Sequence, residues 1–102
     1  MKIFGGEAKG LSLFFSKSKL CRPTLALLKR RVFDSFQNFD KKIFIDAFAG
    51  TGSIGLEALS RGAESLYLIE ISKKQFSLLE KNLNKIVNSY SHFKKKRYYF
   101  KK

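Results

Sequence analysis

The chain has 102 residues, of which 44% are apolar, and carries a formal net charge of +13. That length supports one modest core, the apolar share excludes a disordered tail, and no apolar run nears the roughly 18 residues of a membrane helix. Met1-Lys2-Ile3-Phe4-Gly5-Gly6-Glu7 reaches charge and glycine too early for a signal peptide, and one cysteine, Cys21, makes neither an internal disulfide nor a zinc cluster. The expected compartment is the reducing cytoplasm, with no membrane and no metal. The excess of Lys and Arg points to a polyanionic partner, nucleic acid first. A basic membrane-surface protein lacks its amphipathic basic helix here.

Charge is unevenly spread. Residues 1–40 carry +5, residues 41–72 carry −1, and residues 73–102 carry +9. A near-neutral centre between basic flanks suggests a small molecule held centrally and a polyanion met outside it. Residues 1–40 are expected to form a β-hairpin and helix on the RNA side. Residues 41–102 are expected to form a partial cofactor-binding domain.

In chain order, Lys2-Ile3-Phe4 and Leu11-Ser12-Leu13-Phe14-Phe15 are short apolar runs separated by Gly5, Gly6 and Gly10, which predicts a β-hairpin. Pro23 disfavours the α conformation at Arg22, and Thr24 is placed to cap a helix. Leu25, Leu28, Val32 and Phe36 recur at three- and four-residue spacing, an apolar stripe from which Lys29, Arg30 and Arg31 lie off. Ile43-Phe44-Ile45 reads as a buried strand of the parallel-sheet type. A helix follows from about Ser53 to Arg61, stopped by Gly62. Leu66-Tyr67-Leu68-Ile69 reads as a second buried strand ending at Glu70. Phe76, Leu79, Leu83 and Ile86 mark another amphipathic helix, ended by Asn88-Ser89. Arg97-Tyr98-Tyr99-Phe100 starts a third strand, whose open edge invites self-association. The alternation of strands and helices predicts an α/β fold with a parallel sheet, shorter than a complete open sheet.

The most informative segment is Asp46-Ala47-Phe48-Ala49-Gly50-Thr51-Gly52-Ser53-Ile54-Gly55. It follows a strand and opens a helix, the context that gives a glycine loop meaning. Gly50 and Gly52 permit a tight turn and close approach of a ligand, and Gly55 permits close packing of helix on sheet. Gly50, Gly52 and Gly55 satisfy the dinucleotide pattern literally. Asp46 argues against a dinucleotide, because a carboxylate at the strand tip repels a pyrophosphate. S-adenosylmethionine has no phosphate and carries a cationic ammonium and sulfonium, which Asp46 attracts. Glu70, at the tip of the next strand, suits the two hydroxyls of a ribose.

These segments resemble the RsmD-type bacterial methyltransferases, which modify guanine N2 of 16S, small-subunit ribosomal RNA. The match runs from Asp46 through Gly62-Ala63, and Lys2 through Gly10 is similar to that family's glycine-containing N-terminal hairpin. Arg22-Pro23-Thr24 with Phe33, Leu68-Ile69-Glu70 and Asn82-Leu83 also fit. The resemblance spans residues 2–83, about the first half of a typical member. It implies a Rossmann-like fold that binds S-adenosyl-L-methionine through Asp46, Phe48, Gly50, Gly52 and Glu70. It also implies that Lys2, Lys9, Arg22 and Thr24 meet ribosomal RNA of the small subunit.

Two departures accompany it. The family's helix usually continues Arg-Val-Arg-Glu where this chain has Leu27-Leu28-Lys29-Arg30. Members also carry an Asp/Asn-Pro-Pro-aromatic motif that holds the flipped guanine. With Pro23 as its only proline, this sequence does not contain that motif, so no catalytic residue is assigned and the chain is expected to be inactive alone. The alternatives are a non-enzymatic RNA-binding remnant and a fragment of a nicotinamide-dependent oxidoreductase. His92 reads as solvated, and Cys21 as a small semi-buried side chain. Lys94 to Lys102 mix cations with three aromatics, which suits either RNA or a lysine-protected edge strand.

Overall fold

The computed structural model describes residues 1–15, 22–35, 38–47, 49–90, 93 and 97–101, with backbone only for 22–25, 97 and 99–101. The element order is α1 (Arg22–Ser35), β1 (Ile43–Asp46), α2 (Ser53–Ser60), β2 (Ser65–Ile69), α3 (Lys73–Ser89) and β3 (Arg97–Lys101). The three strands form one sheet in the order β1-β2-β3, and both pairings are parallel. Parallel neighbours need a crossover, and α2 and α3 supply the two crossovers. This is the α/β parallel arrangement that the alternating pattern predicts and that fits the Rossmann-like fold implied by the resemblance. Among the described residues no helix is long and apolar enough to cross a membrane.

The core shows which side of the sheet is covered. Leu66 and Leu68 of β2 are buried with Leu56, Ala58 and Leu59 of α2 and Leu79, Leu83 and Ile86 of α3. Phe44 packs on this cluster, whereas Ile43 and Ile45 are 61% and 65% exposed. Side chains alternate along a strand, so Ile43 and Ile45 share the other face with Tyr67, which pairs with Ile45. The expectation of fully buried strands is therefore corrected for β1. Both crossover helices pack on one face, and on the other Ile43 and Ile45 are largely exposed.

Helix α1 departs from its predicted stripe. Leu28 is 50% exposed, while Lys29, expected off the stripe, is completely buried. Phe33 anchors the helix instead, its ring 5.3 Å from Phe39 and 6.5 Å from Phe44. The helix starts at Arg22 rather than after a Thr24 cap. Pro23 then lies in the first turn, where a missing N–H breaks no helical bond. Phe36 lies outside the described residues.

The N-terminal hairpin is reduced to a single antiparallel bridge, Lys2 with Ser12. Three backbone bonds hold it: Ile3 N to Leu11 O, Gly10 N to Ile3 O, and Leu13 N to Met1 O. The donors that would extend it bond to α2 instead. Phe4 N and Gly5 N donate to the Glu57 carboxylate, Glu7 N to Ser60 O, and Ala8 N to Ser60 Oγ.

Candidate functional site

The glycine loop connects β1 to α2 along the carboxyl edge of the sheet. Asp46 is the last residue of β1, partly buried and in register with Leu68. The loop is then tied to the end of β2, where Ile69 O accepts from Ala49 N at 2.9 Å and Glu70 Oε1 accepts from Gly50 N at 2.8 Å. Glu70 Oε2 accepts from Ser72 N at 2.9 Å. Glu70 thus joins the two strand tips through backbone, and a carboxylate retains lone pairs beyond those two bonds. Sequence reasoning gave it a ribose, and the structure adds this role in shaping the loop.

Gly52 has φ +85, and a Cβ there would lie 2.3 Å from Leu79 Cδ1. Gly50 has φ +56 with nothing within 4 Å of a Cβ, so a ligand can approach the loop from that side. Gly55 sits where a Cβ would come 2.6 Å from Leu68 Cδ2, the close helix–sheet contact expected of it. Between the two loop glycines lies Thr51, 4% exposed. Its Oγ1 is the buried side-chain oxygen that finds no hydrogen-bond partner among the described residues. Buried hydroxyls are ordinarily satisfied, so the loop contains a polar group that a bound molecule can engage. Open backbone at Gly50, the unsatisfied Thr51 hydroxyl and the flanking carboxylates fit a polar, cationic cofactor.

Two buried side chains that sequence reasoning gave no role set the loop's position. Asn82 of α3 is completely buried. Its Nδ2 donates to Thr51 O at 2.8 Å and to Phe14 O at 2.9 Å, and its Oδ1 accepts from Phe14 N at 2.6 Å. Lys29 of α1 donates to Ser53 Oγ at 3.0 Å and to Lys2 O at 2.9 Å. It also pairs with Glu57 Oε1 at 3.1 Å, both side chains fully buried. Arg61 approaches the second Glu57 oxygen at 2.8 Å. Burial pulls the Lys29 ammonium below its ordinary pKa, and the Glu57 carboxylate opposes that shift. The α2 end of the loop is thereby fastened to the N-terminal segment. The signal for Lys29 and Glu57 was a charge on each of two helices, which reads as a solvated face until the helices are known to pack.

The structure brings Asp46, Gly50, Gly52 and Glu70 together along one edge. Lys2 is exposed, and its carbonyl is linked through Lys29 to Ser53. Lys9 is also exposed, but its loop bonds to Ser60 at the opposite end of α2, away from the glycines. Arg22 and Thr24 lie in the first turn of α1, and their side chains fall outside the described residues. Phe48, Cys21, His92 and residues 94–96 also lie outside them. Among the described residues no group of three His, Cys, Asp or Glu forms a metal site.

A family model described as "Conserved hypothetical protein 95" matches residues 1–100. The ribosomal RNA small subunit methyltransferase D of Buchnera aphidicola (Acyrthosiphon pisum) is 35% identical over 85 residues, which is 82% of this chain and 44% of the relative. Its namesake in Escherichia coli K12 is 36% identical over 88 residues, 81% of this chain and 42% of the relative. A solved structure of a hypothetical protein from Thermus thermophilus superposes with a TM-score of 0.73 at 28% identity, covering 98% of this chain and 53% of that one. The chain spans less than half the length of these two curated relatives.

Proposed function

We propose that this chain, which belongs to the Conserved hypothetical protein 95 family, forms the cofactor-binding part of an S-adenosylmethionine-dependent methyltransferase acting on guanine N2 of small-subunit ribosomal RNA. The observation that carries the reading is the glycine loop with a carboxylate at each adjoining strand tip. Asp46 attracts the cofactor's ammonium, directly or through water, and Glu70 accepts from the ribose hydroxyls. Gly50 and Gly52 let the backbone meet the ligand, and the Thr51 hydroxyl offers a further polar contact. Phe48 completes the cofactor set by resemblance. When bound, the cofactor supplies a methyl group activated by a sulfonium. The task left to the protein is positioning, which Asn82 and Lys29 serve by fixing the loop. Lys2, Lys9, Arg22 and Thr24, with the basic flanks, face the RNA phosphates. The acceptor-holding proline motif is not among these residues, so the role proposed for them is the cofactor side.

A nicotinamide dinucleotide fits the glycine spacing but places its pyrophosphate beside Asp46, an unfavourable pairing of like charges. Photo-crosslinking of radiolabelled S-adenosylmethionine tests the proposal. Labelling is expected, with competition by the demethylated product and weakening by Asp46→Ala of about 1–3 kcal/mol, the range for losing a charged hydrogen-bond partner. Labelling that Asp46→Ala leaves unchanged contradicts it.

A further inference from the structure

The N-terminal segment has an inner and an outer face. Ile3 and Leu13 point inward and are 1% and 6% exposed. Lys2 and Ser12 are bridged across the segment, and both are exposed. Phe14 lies on that outer face with them, and Phe4, partly buried, borders it with its ring near the buried Lys29 ammonium. Phe14 is 47% exposed, although it is a phenylalanine.

Cations are fixed against both rings. The Arg30 guanidinium lies 4.4 Å from the Phe4 centroid, with the buried Lys29 ammonium at 4.5 Å. The Lys85 ammonium lies 5.0 Å from the Phe14 centroid and donates to Ser12 O. Single exposed apolar residues are ordinary. Two rings on one strip, each with its own cation, are a denser arrangement than the usual one such contact per roughly 70–80 residues. The acid beneath the strip, Glu57, is buried and fully engaged by Lys29, Arg61 and two backbone donors. A strip with cations and aromatics over an acid that is already neutralised suits nucleic acid whose base faces are available, which means unpaired nucleotides. Its position adds to this, because one Asn82 nitrogen bridges Phe14 O and Thr51 O, so the strip is tied to the glycine loop.

We infer that the outer face of residues 2–14 is a stacking surface for unpaired RNA bases. Phe14 supplies one ring, the Arg30 guanidinium over Phe4 supplies a second plane, and Lys2 and Lys85 meet phosphates. The inference rests on the reading of the chain as one that acts on RNA, and deepens it by assigning the residues that select single-stranded segments beside the cofactor loop.

Fluorescence anisotropy compares a labelled ten-nucleotide single-stranded RNA with a duplex of equal phosphate number. The single strand is expected to bind more tightly. Phe14→Leu, which keeps apolar bulk but removes the ring, is expected to weaken single-strand binding about ten-fold or more. Phe14→Tyr retains it, and Phe14→Leu leaves duplex affinity and its salt slope unchanged. A second readout needs no variant: an RNA carrying 5-iodouridine, irradiated on the unmodified chain, is expected to crosslink at Phe14. Equal single-strand affinity for Phe14→Leu, or crosslinks confined to residues outside 2–14, overturns the stacking surface while leaving RNA binding intact. Failure of the unmodified chain to bind either RNA at low salt overturns both readings.

Discussion

Glu57 is the residue on which most of the molecule converges. One carboxylate holds Lys29 of α1, Arg61 of its own helix, and the amides of Phe4 and Gly5. Removing one member of a buried pair is costly when it strands the other's charge. Glu57→Gln strands Lys29, whereas Lys29→Met leaves Glu57 with Arg61 and two N–H donors. Glu57→Gln should therefore cost about 3–5 kcal/mol and Lys29→Met less, about 1.5–3 kcal/mol, the range for losing hydrogen bonds made by a charged group. Urea denaturation of both variants measures the difference, and the reverse order contradicts this description of the network. The glycines supply a second contrast. Gly50→Ala meets open space and incurs only the left-handed backbone cost of about 1–2 kcal/mol. Gly52→Ala adds a collision with Leu79 and should cost more by about 1–3 kcal/mol. Equal midpoints for the two alanine variants contradict that assignment.

At the scale of elements, the apolar runs located the three strands and the hydrophobic period located α3, since Leu66, Leu68, Leu79 and Ile86 are buried as expected, although Ile43 and Ile45 of β1 are exposed. It failed where polar groups decide the packing. Lys29 is buried because Glu57 awaits it, a pairing across 28 positions of chain that no local period reveals. The hairpin shortened because its amides found acceptors on α2. In the site, Asp46, Gly50, Gly52 and Glu70 were legible as a motif, being contiguous with strand ends. Asn82 was noticed only as a matching pair with Leu83. Its role depends on three backbone groups brought together by the fold. Strand β3 offers a prediction in pH. The Tyr98 hydroxyl donates to Phe93 O at 2.6 Å, and burial pushes its pKa from 10.0 up to about 12. A raised phenol pKa means stability that is intact below pH 10 and lost as pH rises toward 12. Thermal melts across that range should show the unmodified chain losing more stability than Tyr98→Phe. Parallel declines in the two proteins contradict a titrating Tyr98.

For the whole molecule, the charge distribution and the sheet point in different directions. The +9 balance of residues 73–102 suits a polyanion outside the domain. The near-neutral centre suits a small cationic ligand at the strand tips. If the flanks meet RNA phosphates, log affinity should fall linearly with log salt between roughly 50 and 200 mM. A flat response means that the lysines do not contact phosphate. Mixed with labelled S-adenosylmethionine and unmethylated small-subunit RNA, the chain by itself should give no guanine methylation above a no-protein control. Clear product means that other residues here hold the acceptor. The central claim is that the loop between Asp46 and Ser53 holds S-adenosylmethionine and not a dinucleotide. Titration calorimetry of the unmodified chain with each ligand tests it most directly. Heat from S-adenosylmethionine or its demethylated product, with weaker or no heat from NAD, is the predicted result, and tighter binding of NAD contradicts the account.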